Sequence, residues 1–362
     1  MATATTAAAP RPLVNSLATG RLPKWAPWGV LGLSVAASAA VFGFTAFANE
    51  SSFSFGGTAV VAALLYVVLV TVISWVAEGR RKAVDRLVTA LVTGAFLIAM
   101  VPLVSLLWTA ISMGIHRFDV EFFTWTMRSV TDGGGGALHA IVGTLEITLA
   151  ATIISVPIGL MTSIYLVEYG RGALARGITF FVDVMTGIPS IVAGLFAYAL
   201  FSLLLGPGTR SGFAGAIALS VLMIPVVVRS SEEILRVVPN ELREASFALG
   251  VPRWRTIVKV VLPTAIAGIT TGVVLAIARV IGETAPLLLT AGFSDNMNYN
   301  LFDERMNTLP LFVFTSYKYS AGTDQAFIDR AWTAALVLIL IVVLLNLIAR
   351  LIARIFAPKT GR

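Results

Sequence analysis

The sequence has no cysteine and only two histidines, His116 and His139, in 362 residues. Disulfides, thiolate metal sites and cysteine nucleophiles are thereby excluded. Without an H-E-x-x-H pattern, a zinc centre lacks its ligands, and each histidine reads as an interfacial or packing residue. Charge is scarce as well. Asp, Glu, Lys and Arg make up 12% of the chain, against about 25% in soluble domains. No lysine follows a glycine, so the phosphate-cradling loop G-x-x-x-x-G-K-[ST] is missing and any ATP-driven activity must use another chain's ATPase. The run Gly133–Gly136 has no Lys or Ser/Thr behind it and reads as a flexible outer loop.

What is present is apolar surface: 57% of residues, with a mean hydropathy of +0.89. Charge-free stretches recur, among them 25–49, 51–77, 87–116, 184–209 and 331–349. Each reaches the ~18 residues that cross a bilayer core as helix. The reading is an all-α integral membrane protein with eight spans, near 27–48, 57–77, 87–111, 138–167, 178–205, 212–230, 263–291 and 331–357. The net charge of +7 lies beside these runs rather than on one soluble face, which argues against a nucleic-acid partner and for the lipid bilayer.

Orientation follows from Lys and Arg. One side receives 18 of them and the other 6, with Arg229 and Arg279 inside or at the edge of spans. The richer side is cytoplasmic by the positive-inside rule, which puts both termini inside. Arg21, Lys24 and Ala46-Phe47-Ala48 imitate a cleavable leader, but the apolar run between them exceeds the usual ~7–15 residues and reads as a retained span. Residues 1–24 read as a disordered cytoplasmic tail, and 358–362 as a short cytoplasmic one. Pro157, Pro225 and Pro286 suggest kinks; Gly187-Ile188-Pro189 fits a kink or a broken helix equally.

The connection 231–262 carries the densest local signals. Asn240 suits an N-cap and Glu241 a first turn. Leu242, Ala245 and Leu249 recur at helical spacing up to Gly250, a natural residue for the position after a helix. Pro252 then opens a second helix with Trp254, Ile257, Val258 and Val261, ending where Leu262-Pro263 start the next span. Two short helices around a Gly-x-Pro turn make a knob that a partner can grip.

Glu244-Ala245-Ser246, three residues, Gly250, nine residues, Val260, one residue and Leu262-Pro263 resemble the EAA loop of ABC-importer permeases. Ser246 stands for Ala and Val260 for Ile in that pattern, and both keep size or branching. Leu138–Ala151, Ile224–Glu233, Val238–Gly250 and Ala276–Leu289 together are similar to one branch, the A-type permease chains of phosphate-specific ABC importers. The resemblance covers about 85–357 and implies a six-span helical bundle with a coupling hairpin at 239–262. The two spans within 25–84 are additional to it.

The resemblance further implies that Glu244, Ala245, Ser246, Gly250, Pro252, Leu262 and Pro263 couple to the ATPase. It implies a second homologous permease chain, two ATPase copies binding ATP and Mg, and an extracytoplasmic binding protein delivering inorganic phosphate. The chain itself would hold no cofactor. From the residues alone, Arg279 costs at least ~2.5–3.5 kcal/mol inside a bilayer unless paired. Glu283 lies four residues on, within reach on one helix face. Arg279 then either forms a structural bridge or meets an oxyanion with its fork of donors. The resemblance favours the second, with Glu283 tempering the grip and Arg229 as a second arginine of the path. Arg229 reads as the end of its span, able to snorkel to water.

Other classes are less well supported. A permease for another oxyanion remains open by spacing alone. A membrane-embedded enzyme needs converging carboxylates or a nucleophile–base pair, whereas Glu146, Asp183 and Glu283 fall on different spans. A secondary transporter needs no EAA-type loop. Residues 293–330 carry Tyr299, Phe302, Phe312, Phe314, Tyr317 and Tyr319, which fit either a docking surface for the binding protein or a self-packed lid.

Overall fold

The computed structural model describes residues 22–48, 52–130, 134–319 and 325–356. Residues 1–21 of the tail expected at 1–24, the tail expected at 358–362, part of the glycine run, and the Tyr319 side chain lie outside the described residues; within 22–24 the Leu22 N–H is bonded to Glu78, not free as a tail. Among the described residues the chain is helical throughout, with no strand. The helices are α1 (Ala26–Ala48), α2 (Phe55–Glu78), α3 (Arg80–Gly114), α4 (Val120–Thr124), α5 (Leu138–Ile164), α6 (Gly172–Thr186) and α7 (Ser190–Leu205). There follow α8 (Gly212–Val237), α9 (Asn240–Ala248), α10 (Arg253–Thr256), α11 (Leu262–Val280), α12 (Ala285–Thr290), α13 (Leu309–Tyr319) and α14 (Gln325–Phe356). Seven helical stretches are long and apolar enough to span a membrane. The chain divides inside α3 into two compact units, 1–107 and 108–362.

In the first unit α1 and α2 pack through small residues, as helices in lipid do when packing replaces hydrophobic drive. Ser34, Ser38, Ala62 and Ser74 are buried, and Ser38 Oγ donates to the Thr58 carbonyl at 2.8 Å. At the other end Glu78, with a side chain only 2% exposed, accepts from the Leu22 backbone N–H at 2.8 Å and pairs with Arg86 at 2.7 Å. One carboxylate thus ties the start of α1 to the α2–α3 turn.

The second unit is built on α5 and α8, which run parallel and pack along their length. Ile147 and Ala151 of α5 meet Leu219, Met223 and Val227 of α8, closed over by Ala276, Val280 and Leu287. A second cluster joins α4, α5, α13 and α14 through Phe122, Ala137, Leu309, Phe312 and Ala334. The segment 306–309 runs against α5. There Leu309 N–H donates to Thr144 Oγ1 at 2.7 Å, and His139 packs edge-on to Phe312. A methyl at Gly143 would overlap the Asn307 carbonyl oxygen and press Met306 Cγ at 2.9 Å. Gly143→Ala is therefore expected to destabilise the unit by roughly 3 kcal/mol, an overpacking cost. A lowered unfolding midpoint of the purified protein checks it; an unchanged midpoint refutes the close approach.

Two expectations need correction, at 263–291 and at Leu262-Pro263, whereas the run 178–205 takes the broken one of its two expected outcomes: α6 and α7 meet at 107° across Gly187-Ile188-Pro189. Pro189 has no N–H, and the residue before a proline avoids the helical region, so the ladder breaks there. The run 263–291 is not one helix either. It stops at Val280 and restarts as α12, with Pro286 in the new first turn rather than at a kink. Conversely, Leu262-Pro263 does not open a new helix. The stretch Arg253–Val280 is continuous, because Ile257–Val261 form a π turn in which Leu262 N–H bonds back to Ile257 O. That wider turn accommodates a proline without its N–H. Pro157 and Pro225 lie inside unbroken helices.

Candidate functional site

α8 stays helical to Val237 and the next long helix starts at Arg253, so the long connection is a compact hairpin built on α9 and α10. α9 begins at Asn240 itself, whose side chain does not cap; Pro239 precedes it. Its end is as the spacing predicts. Gly250 has φ +73°, Gly250 N–H bonds to Phe247 O at 2.9 Å, and Val251 N–H to Ser246 O at 3.2 Å. This paired closure satisfies the last carbonyls and needs a left-handed residue. Pro252 stands one place before α10, where its carbonyl accepts from Arg255 and Thr256.

Ser246, the departure from the EAA pattern, is buried, and its hydroxyl meets Thr256 Oγ1 at 2.8 Å, pinning the two arms together. Glu244, Ala245, Gly250 and Pro252 are exposed, as is Pro263, with Leu262 half-buried. Beside them Leu242, Leu249, Trp254 and Val258 expose apolar surface. Leu242, Ala245, Leu249, Val251 and Val260 line a groove of about 380 Å³ that Arg255 and Lys259 flank. The hairpin is fixed at its root by a residue that spacing did not single out. Arg243 places Nε and Nη2 on Glu168 Oε1 at 3.0 and 2.8 Å and donates to Val238 O and Leu235 O at 2.6 and 2.9 Å. Glu168 belongs to a π turn, Tyr165–Tyr169, that ends α5.

The charges within the spans are arranged differently from the expectation. Arg279 lies in the last turn of α11, exposed in the isolated chain, not at the middle of a long span. Among the described residues Arg279 and Glu283 make no ion pair, because α11 ends between them and Glu283 N–H turns back to Val280 O. Arg229 is not at the end of its helix, which continues two turns to Val237. It is held by Asp183 of α6 and by Glu232, whose other oxygen accepts from Arg236 Nη2 at 2.6 Å. The spacing 229, 232, 236 marks one helix face and was readable; Asp183, 46 residues away, had no local signal.

α8 and α11 cross antiparallel, with Ser230 against Gly272 and Ile234 against Gly268. That register sets Arg279 level with Met223, about 9 Å along the axis from Arg229 toward the Gly212 end. Two arginines thus lie at two depths, the deeper one without a carboxylate and the other with two. The aromatics of 293–330 divide: Phe312 is core, while Tyr299 and Phe302 are exposed, with Phe302 stacked on Phe213 at 4.7 Å.

Residues 155–362 match the family described as binding-protein-dependent transport system inner membrane component. The chain belongs to this family. Over 266 residues it is 48% identical to the phosphate transport system permease protein PstA of Mycobacterium leprae, covering 72% of this chain and 86% of that one. The PstA 1 protein of Mycobacterium tuberculosis H37Rv is 46% identical (72% and 84% covered), and PstA of Yersinia pestis 37% identical (72% and 86% covered). The fold is that of a bacterial alginate ABC transporter chain solved with a pentasaccharide-bound periplasmic protein. There the TM-score is 0.55 at 13% identity, over 77% of this chain and 97% of the other. Membership makes this a multi-pass inner-membrane permease and a transporter component rather than an enzyme.

Proposed function

We propose that this inner-membrane component is the transmembrane permease of an ATP-driven importer of inorganic phosphate. The observation that carries the reading is 37–48% identity to phosphate permeases across 86% of their length. Arg279 and Arg229 would receive the anion in turn. Arg279 has no carboxylate among the described residues, so it offers a whole guanidinium fork, matched to an oxyanion.

The hairpin is the lever. Its exposed Leu249, Trp254 and Val258, beside a groove flanked by Arg255 and Lys259, suit burial against a partner chain, here an ATPase subunit. The sequence carries no G-x-x-x-x-G-K-[ST] loop, so ATP and Mg would belong to two copies of that subunit. A second, related permease would complete the path, and an external binding protein would deliver phosphate. The 18-to-6 distribution of Lys and Arg supports a cytoplasmic side for the hairpin and both termini. Closure of the ATPase pair would draw on 239–262 and open the spans outward; hydrolysis would return them.

Reconstituting the complex in proteoliposomes and measuring ATP-dependent uptake of labelled phosphate against sulfate tests the reading. Sulfate uptake in place of phosphate assigns another oxyanion, and uptake without ATP removes the importer altogether. The lever has its own test. A β-branched residue at φ +73° costs about 1 kcal/mol or more, and nothing else in the chain lies within 4 Å of a Cβ at Gly250. Gly250→Val is therefore expected to leave the spans inserted while reducing ATPase co-purification. Full retention of the ATPase would detach the hairpin from coupling.

A further inference from the structure

Arg229 forks between two carboxylates of unequal standing. Nη1 donates to Glu232 Oε2 at 2.9 Å, and Nη2 to Asp183 Oδ1. Glu232 is only 6% exposed and is shared with Arg236, so its loss would strand two guanidinium groups. It is a fixed ligand. Asp183 is 56% exposed, uses one oxygen, and comes from α6, close to the break at Gly187-Ile188-Pro189. It also borders a cleft of about 390 Å³ between α6 and α8, whose walls include Arg176, Thr179 and Arg236. An anion that reaches Arg229 from the α6 side meets Nη2 where the Asp183 oxygen now stands and competes with it there, and Asp183 can take Nη2 back as the anion leaves.

We propose that Asp183 is the exchangeable counter-ligand of Arg229: it competes with phosphate for Nη2 and so discharges the anion into the α6–α8 cleft. The inference rests on the phosphate-import reading and deepens it. Carboxylate and phosphate oxygens are equivalent partners for a guanidinium, so exchange at Nη2 replaces one charge-assisted bond by another while Glu232 stays on Nη1. A path must bind its ion and also let it go. Asp183 serves the second need as a positioning residue, acting through Arg229.

The test uses the complete complex, purified with its partner chains, and labelled inorganic phosphate. In equilibrium dialysis without nucleotide, Asp183→Asn is expected to bind phosphate about fivefold more tightly, the scale of a partly exposed ion pair. In proteoliposomes KM and maximal uptake rate are expected to fall together by a similar factor, and Asp183→Glu to restore both. A loss of rate with unchanged KM and unchanged affinity marks a merely structural residue and overturns the proposal. If Asp183→Asn does not assemble, Thr179→Cys serves, because the chain has no other cysteine. Phosphate should then speed maleimide labelling of the cleft by loosening α6, and a rate indifferent to phosphate overturns the exchange. A wild-type complex that takes up no phosphate overturns the import reading itself. Normal wild-type uptake with an unaltered Asp183→Asn overturns only this inference.

Discussion

Arg279→Met is expected to lower phosphate uptake at least a hundredfold while the complex still assembles. The guanidinium lies in the last turn of α11, where a cation meets the negative end of the helix dipole favourably. Beyond that it has no ion-pair partner among the described residues. Glu283, the expected counter-ion, is carried away by the turn at Ile281-Gly282. A cation at that depth is costly unless water, another chain or an anion meets it. Removing it deletes the fork and with it the proposed first oxyanion contact of the path; a hundredfold loss corresponds to about 2.7 kcal/mol. Arg279→Lys keeps the charge but not the planar pair of donors and should recover uptake only in part. Uptake into proteoliposomes, with assembly checked by co-purification, decides. Loss of assembly would make Arg279 a structural contact to the second permease, and wild-type uptake would remove it from the path.

The features legible in the sequence were those fixed locally. Gly250 and the helix before it could be placed because a left-handed closing residue and a 3.6-residue apolar period are both short-range. The break at Gly187-Ile188-Pro189 was legible only as one of two outcomes, since proline is tolerated inside membrane helices when neighbours satisfy the freed carbonyls. Pro225 and Pro189 show the two results in one chain: the first lies in an unbroken α8 and the second turns the backbone by 107°. Pro263 was misread for a related reason. Its missing N–H suits a helix start and a π turn equally, and the Leu262 N–H bond to Ile257 O shows the second. The stop at Val280 had no local herald, because apolar residues continue on both sides and Pro286 lies beyond the break. Ion pairs between distant segments, Arg229 with Asp183 and Arg243 with Glu168, depend on which helices meet, and spacing carries no record of that.

That second pair carries the other large prediction. Arg243 joins the hairpin to two spans at once. It holds Glu168 at the end of α5 and caps the carbonyls of Leu235 and Val238 at the end of α8. Its side chain is 12% exposed and that of Glu168 is 7% exposed, so screening by water is small. Arg243→Met would leave a carboxylate and two carbonyls without their donor, a local cost on the order of 3 kcal/mol. The exposed apolar face of the hairpin, the proposed ATPase contact, would be unchanged. Docking should therefore survive while force applied to α9 is lost in a loosened root. The expected result is an ATPase that still co-purifies but is no longer stimulated by phosphate-loaded binding protein, with uptake reduced more than tenfold. Glu168→Gln should act in the same direction and more weakly, since the amide oxygen still accepts from Arg243. In a double-mutant cycle the two substitutions should be far from additive, because each removes the same contact. An Arg243→Met complex with full stimulation would place the transmission elsewhere, in the apolar packing of Leu235, Val238 and Val261 beneath the hairpin.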